Sequence, residues 1–133
     1  MATKILIIED DAIQLLSLQV CLQAAGFEVL SAMSGEEGLQ KAWEEKPEVV
    51  LVDIILPGMS GVAVCQRLKE HPETKEMSVL LVTASTMQHL EESSKAFGVD
   101  VCLTKPYELS ELMERIRGLV AAKRHRTPLP QPS

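Results

Sequence analysis

Short apolar runs alternate with longer amphipathic stretches five times along this chain, and that alternation constrains its fold more than any other feature. The first run, Lys4 to Glu9 (KILIIE), is continuous and rich in β-branched residues, which suits a strand buried on both faces. Phe27 to Ser31, Glu48 to Asp53 (EVVLVD), Met77 to Thr83 (MSVLLVT) and Asp100 to Thr104 read as four later strands. Helices fill the gaps between them. From Ala12 to Ala25 the apolar positions Ile13, Leu16, Val20 and Ala24 recur at three- and four-residue steps, the stripe of an amphipathic helix, and Gly26 supplies a left-handed stop. Ser34 with Glu37 is a capping box, opening a second helix in which Leu39, Ala42 and Trp43 are expected to face the core until Pro47 ends it. Past the Pro57-Gly58 pair, Ser60 caps a third helix running to about Glu70, with Val64 and Leu68 inward. A weaker fourth helix is expected from about Met87 to Phe97, closed by Gly98, and a last one from Tyr107 to Ala122. Such strict alternation implies a parallel sheet with right-handed crossovers and helices on both faces.

Composition narrows the function classes. At 133 residues, 46% hydrophobic and 24% charged, the chain fits one domain with one folded core. No apolar run reaches the ~18 to 20 residues of a membrane span, and Met1 to Asp10 lacks the basic start of a signal peptide, so a cytoplasmic protein is expected. A net charge of -6 with one Trp, one Tyr and two Phe argues against tracking phosphates or stacking bases, so no direct nucleic-acid partner is expected. The charge is uneven. Lys123, Arg124 and Arg126 lie in an acid-free end, AAKRHRTPLPQPS, so residues 1–122 carry ten basic and nineteen acidic side chains, a formal charge of -9. Pro128, Pro130 and Pro132 make residues 123–133 a basic, proline-rich tail or interdomain linker following a domain of residues 1–122. Cys21, Cys65 and Cys102 are far apart and lack ligand spacing, so they read as reduced, mostly buried thiols; His71, His89 and His125 are scattered and receive no role.

In a parallel sheet, ligands sit beyond the carboxyl ends of the strands, where the strand order reverses. Polar chemistry gathers there: Glu9, Asp10 and Asp11 after the first strand, Asp53 at the end of the third, Thr83 at the fourth, and Thr104, Lys105 and Pro106 at the fifth. Clustered carboxylates repel one another and resist desolvation unless a cation neutralises them, and hard oxygen donors suit Mg²⁺. A carboxylate such as Asp53 can attack phosphorus to give an acyl phosphate. Lys105 and Thr83 could then serve the phosphoryl oxygens. Each residue alone has an ordinary explanation, as a helix cap, a strand residue or a turn, and their joint placement at four strand ends carries the argument.

The motifs ILIIEDD, VLVDIILPGMSG, LLVTAS and LTKPY, in that order, resemble those of response regulator receiver domains, across residues 3–122. The resemblance implies a flavodoxin-like (βα)5 fold with strand order 2-1-3-4-5 and a two-component signalling switch rather than a metabolic enzyme. It implies Asp53 as the phosphoacceptor, Glu9 and Asp10 as the acidic pair holding Mg²⁺ with Asp53, and the Ile55 backbone carbonyl as a further metal ligand. Asp11 falls outside the matched pair. Thr83 is implied as the hydroxyl that moves toward the phosphoryl group, Lys105 as the family's lysine, and Pro106 as a cis-proline. The implied partners are a sensor histidine kinase or phosphotransfer protein as donor, and an output partner or C-terminal effector reading the face built by the fourth helix, fifth strand and last helix.

Two departures stand out. Cys102 occupies the position, three before Lys105, where the family usually has Tyr or Phe, so the usual Thr-to-aromatic coupling is expected to be shortened or rerouted; Tyr107 matches a packing position instead. Glu91 and Glu92 on the fourth helix would oppose Asp100, which disfavours the dimer typical of winged-helix regulators. Two alternatives belong to other classes: a Mg²⁺-dependent phosphohydrolase with an Asp nucleophile, which would lack a second Asp because Ile55 stands two residues after Asp53, and a receiver-like scaffold that no longer turns over.

Overall fold

The computed structural model describes residues 2–84 and 98–126. Five parallel strands, β1 (Lys4–Ile8), β2 (Glu28–Ala32), β3 (Val49–Asp53), β4 (Ser78–Ala84) and β5 (Val101–Lys105), lie in the order β2-β1-β3-β4-β5. Four helices are described: α1 (Ala12–Ala24), α2 (Gly35–Glu45), α3 (Gly61–Glu70) and α4 (Leu109–Arg126). The expected flavodoxin-like architecture is the one found. The helix expected near Met87 to Phe97, with Glu91 and Glu92, lies outside the described residues, as does the tail beyond Arg126. Helix α4 continues four residues past its expected end at Ala122.

Side chains alternate across a strand, so one apolar run feeds two cores. Leu6 and Ile8 of β1 join Val50, Val52, Val79 and Leu81 under α2 and α3. Ile5 and Ile7 join Leu51, Leu80 and Val82 under α1 and α4. Because both faces are covered, the strand runs carry almost no polar alternation. The helix ends follow local chemistry: Ser34 Oγ accepts from Glu37 N at 3.2 Å while Glu37 Oε1 accepts from Met33 N at 3.0 Å, and Ser60 Oγ accepts from Ala63 N at 3.2 Å. Gly26, at φ 97°, ends α1 as its position suggested. At the end of α2, Pro47 bars its predecessor from the helical region, and Lys46 takes a left-handed conformation at φ 53°.

Two inward faces differ from expectation. On α1 the buried residues are Leu15, Leu18 and Leu22, whereas Ile13, Leu16 and Val20 are 82%, 61% and 56% exposed. The sequence AIQLLSLQVCLQA carries apolar stripes on two sides, so periodicity alone does not choose between them. Asp11 decides the start of the helix, because its Oδ1 accepts from Ile13 N at 3.0 Å and Gln14 N at 3.1 Å. Trp43 also departs: it lies 47% exposed at the α2–α3 edge, while Gly38 and Ala42 make the close contact with the sheet. There is no room for more. A Cβ on Gly38 would sit 2.3 Å from Ile8 Cδ1.

Candidate functional site

Register brings the polar strand ends together. Ile8 pairs with Val52 and Asp53 with Val82, so Glu9 and Asp53 follow on adjacent strands, with Thr83 one residue beyond Val82. Thr83 pairs with Thr104 and Ala84 with Lys105, which carries Lys105 to the same edge. The sequence-expected residues Glu9, Asp53, Thr83 and Lys105 therefore share one end of the central strands. Asp10 is exposed at that end, and Asp11 caps α1 instead.

Asp53 is the hub. Its side chain is only 11% exposed, and both oxygens are engaged: Oδ2 accepts from Lys105 Nζ at 2.8 Å and Oδ1 from Ile55 N at 3.0 Å. The Ile55 contact is a local carboxylate-to-backbone turn that starts the 54–60 loop. Lys105 is also 3.5 Å from Gln14 Oε1, at the outer limit of a hydrogen bond, on the first turns of α1. The Lys105–Pro106 peptide bond is cis.

The charges are unevenly compensated. Burial pushes the Glu9 carboxyl up to about 7, the neighbouring negative charge of Asp53 adds to the rise, and Lys105 only partly opposes it. For Lys105, burial pulls the ammonium down, but its hydrogen bond and charge attraction to Asp53, with Glu9 behind, outweigh this and hold it above the ordinary lysine value. Burial likewise raises the Tyr107 hydroxyl. Thr83 is 1% exposed, and its Oγ1 is a buried polar atom without a hydrogen-bond partner among the described residues. Leaving such a hydroxyl unpaired costs about 1 to 3 kcal/mol.

Among the described residues, no three His, Cys, Asp or Glu side chains are gathered closely enough to hold a metal. The donors here fit a hard divalent cation that keeps waters and needs one or two carboxylates rather than a full protein cage. The nearly buried Glu9, raised first by burial and then by the neighbouring charge of Asp53, is consistent with that chemistry.

Gly61 was not anticipated from the sequence. Its N–H donates to the Ile54 carbonyl at 2.9 Å, and a Cβ there would lie 2.4 Å from the Asp53 carbonyl oxygen, so the start of α3 presses directly on the backbone that carries Asp53. Only the position of a glycine at a helix start could have hinted at it. Also unanticipated is a cleft of about 680 Å³ beside the site, where Lys105, Pro106 and Tyr107 face Gln14, Leu18 and Cys21 of α1. Cys102, at the expected switch position, is half-buried and packs on the core shared by α2 and α3, which includes Cys65. Burial raises the Cys65 thiol to about 11.

The sequence matches the response regulator receiver domain family over residues 5–117. The chain belongs to that family. As a receiver domain of the two-component systems it is a signalling module, not a metabolic enzyme. It is 33% identical over 118 residues to the protein PilH of Pseudomonas aeruginosa, covering 89% of this chain and 98% of PilH. It is 32% identical over 120 residues to the phosphate regulon transcriptional regulatory protein PhoB of Rhizobium meliloti, covering 90% of this chain but 53% of PhoB. The chain thus spans about half the length of such longer curated relatives. A receiver domain protein from Methanospirillum hungatei superposes with a TM-score of 0.88 at 28% identity, covering 95% of this chain and 99% of that one. No helix among the described residues is long and apolar enough to cross a membrane.

Proposed function

We propose that this receiver accepts a phosphoryl group on Asp53, from a phosphohistidine of a sensor kinase or phosphotransfer protein, in a Mg²⁺-dependent reaction. The observation that carries the reading is the Asp53–Lys105 pair at the strand ends, beside a buried Thr83 hydroxyl that has no partner among the described residues. An Asp53 oxygen attacks phosphorus as the bond to the donor nitrogen breaks, and that nitrogen keeps the electron pair and takes a proton. Lys105 supplies positive charge to the phosphoryl oxygens, and Thr83 supplies a donor that ends its own unpaired state. Glu9, Asp10, Asp53 and the Ile55 carbonyl would hold Mg²⁺, which contributes charge neutralisation to the phosphoryl group when bound.

The donor needs a surface. The exposed α1 stripe of Ile13, Leu16 and Val20 runs beside the site, and exposed apolar patches of this kind mark protein contacts. Phosphorylation then changes partner preference on the face that includes β5 and α4, with Cys102 in place of an aromatic as part of the relay. An effector or separate partner reads that face. The acidic receiver itself contacts no nucleic acid, and the protein works in the cytoplasm.

Incubation with Mg²⁺ and acetyl phosphate, followed by intact-mass measurement of wild type and Asp53→Asn, tests the acceptor. A single phosphoryl adduct that the substitution removes is the expected result. Repeated phosphate release with no adduct would favour a hydrolase, and neither adduct nor turnover would leave a scaffold.

A further inference from the structure

Helix α1 carries a second stripe beside the exposed one of Ile13, Leu16 and Val20. Gln14, Ser17, Leu18 and Cys21, at steps of three, one and three residues, share a helix face and look across the cleft of about 680 Å³ at the turn that joins β5 to α4. That volume lies inside the roughly 300 to 1,000 Å³ of small-molecule sites. Gln14 and Lys105 mark one end of the cleft, since Lys105 Nζ is 3.5 Å from Gln14 Oε1. Cys21, two turns along α1, marks the other end, about 10 Å away along the helix.

The lining is polar at the first end and apolar beyond it. Lys105 is the one ionised side chain among the described residues that line the cleft. Its ammonium has three N–H groups, of which Asp53 Oδ2 takes one at 2.8 Å and Gln14 lies at the limit of a second, and its side chain is 35% exposed. Donor capacity therefore remains. Asp53 and Glu9 stand behind Lys105 at the strand ends and do not line this space. The Gln14 amide and, one turn on, the Ser17 hydroxyl add neutral hydrogen-bonding groups. Leu18 is the buried floor, and Leu109, 44% exposed, and Tyr107 stand opposite. One positive charge at the end of a cleft about 10 Å long, with an aromatic side chain on its wall, complements a flat apolar molecule that carries a single anionic head.

We infer that this cleft binds a small aromatic monocarboxylate, its carboxylate on Lys105 and its rings over Leu18 between α1 and Leu109. The ligand then shares the ammonium that Asp53 uses, so it slows phosphorylation; this regulatory half rests on the phosphoacceptor reading above, and the binding does not. The probe is 2-naphthoate, followed by calorimetry and by amide chemical shifts, without phosphodonor. Saturable binding with a dissociation constant of about 1 mM or tighter is expected for about thirteen heavy atoms at ordinary ligand efficiency. The largest shifts should fall on residues 14–21 and 105–109. Ser17→Trp, at an exposed position whose ring fills the cleft, should weaken binding about tenfold or more with the urea midpoint kept. The neutral isostere 2-naphthamide should bind about tenfold more weakly than the acid. No saturation by about 10 mM, an unchanged affinity in Ser17→Trp, or an amide that binds as well as the acid each overturns the site. Decanoate binding as tightly as 2-naphthoate overturns the aromatic assignment. Half-saturating 2-naphthoate should slow acetyl phosphate labelling about two-fold, and labelling unslowed at saturation overturns the regulatory half.

Discussion

At the scale of single residues, the site is an electrostatic circuit in which the charges of Asp53 and Lys105 act on the protonation of Glu9. Asp53 raises Glu9 and Lys105 lowers it, with burial the larger cause of the rise. Asp53→Asn is therefore expected to bring the Glu9 carboxyl down from about 7 toward its ordinary value, without reaching it, and Lys105→Met is expected to push it higher. Carboxyl carbon chemical shifts followed through a pH titration in the absence of divalent ions would read both, and a Glu9 midpoint unmoved by either change would refute the coupling. Gly61 belongs to this scale too. A methyl group there meets the Asp53 carbonyl oxygen at 2.4 Å and Ile54 Cα at 2.8 Å, both backbone atoms that cannot swing aside. Gly61→Ala should cost about 3 kcal/mol or more and disturb phosphorylation, whereas the same change at Gly118, which has open space around it, should be neutral or slightly stabilising. Urea denaturation of both variants checks the contrast. The sequence made Asp53, Thr83 and Lys105 legible because carboxylate, hydroxyl and ammonium chemistry is written in the residue type. Gly61 was illegible because its role is an absence of atoms, visible only once α3 is laid against β3.

At the scale of elements, α1 shows what periodicity can and cannot decide. The strands were legible because continuous β-branched runs such as KILII and VVLV have few other uses, and alternation with helices left little freedom in topology. The face of α1 was not, because the helix carries two apolar stripes and only tertiary contact selects Leu15, Leu18 and Leu22 over Ile13, Leu16 and Val20. The two stripes should separate stability from function. Leu22→Ala, at a fully buried position, is expected to cost about 2 to 5 kcal/mol. Leu16→Glu, at a position 61% exposed, should change stability by less than about 0.5 kcal/mol. It should slow phosphoryl transfer from a protein donor while leaving acetyl phosphate labelling intact, because only the protein donor needs the α1 surface. Equal slowing with both donors would place Leu16 in the chemistry rather than in docking. Trp43 repeats the lesson on α2: its spacing fits the inward stripe, but Gly38 and Ala42 bring the helix so close to β1 that a large ring is displaced to the edge.

At the scale of the whole molecule, the site is stability given up at one end of a sheet that is otherwise apolar on both faces. Glu9 is 4% exposed, and its carboxyl is held at about 7 in the folded chain against 4.5 when unfolded. A raised acid makes the folded state bind more protons than the unfolded state between those values, so stability falls as pH rises through that window and levels off above it. The difference between about pH 5.5 and pH 8 corresponds to a loss of about 2 kcal/mol in the absence of divalent ions. The other shifted groups stay out of the way. Glu37 is lowered, so its contribution is present above the ordinary carboxylate value and is lost only at more acid pH, while Cys65, Tyr107 and Lys105 are raised and titrate well above pH 8. Urea unfolding at the two pH values should show that loss in the wild type and lose it in Glu9→Gln, whose amide does not titrate. Mg²⁺ binding to the ionised site should return stability at pH 8 in proportion to the logarithm of its concentration above the dissociation constant, and should do much less at pH 5.5, where Glu9 keeps its proton. A pH-independent stability in the wild type would show that Glu9 is not the group that sets this balance. A pH-dependent one that Mg²⁺ leaves untouched would remove the metal from the strand ends and, with it, the reason for placing Glu9 beside Asp53 there.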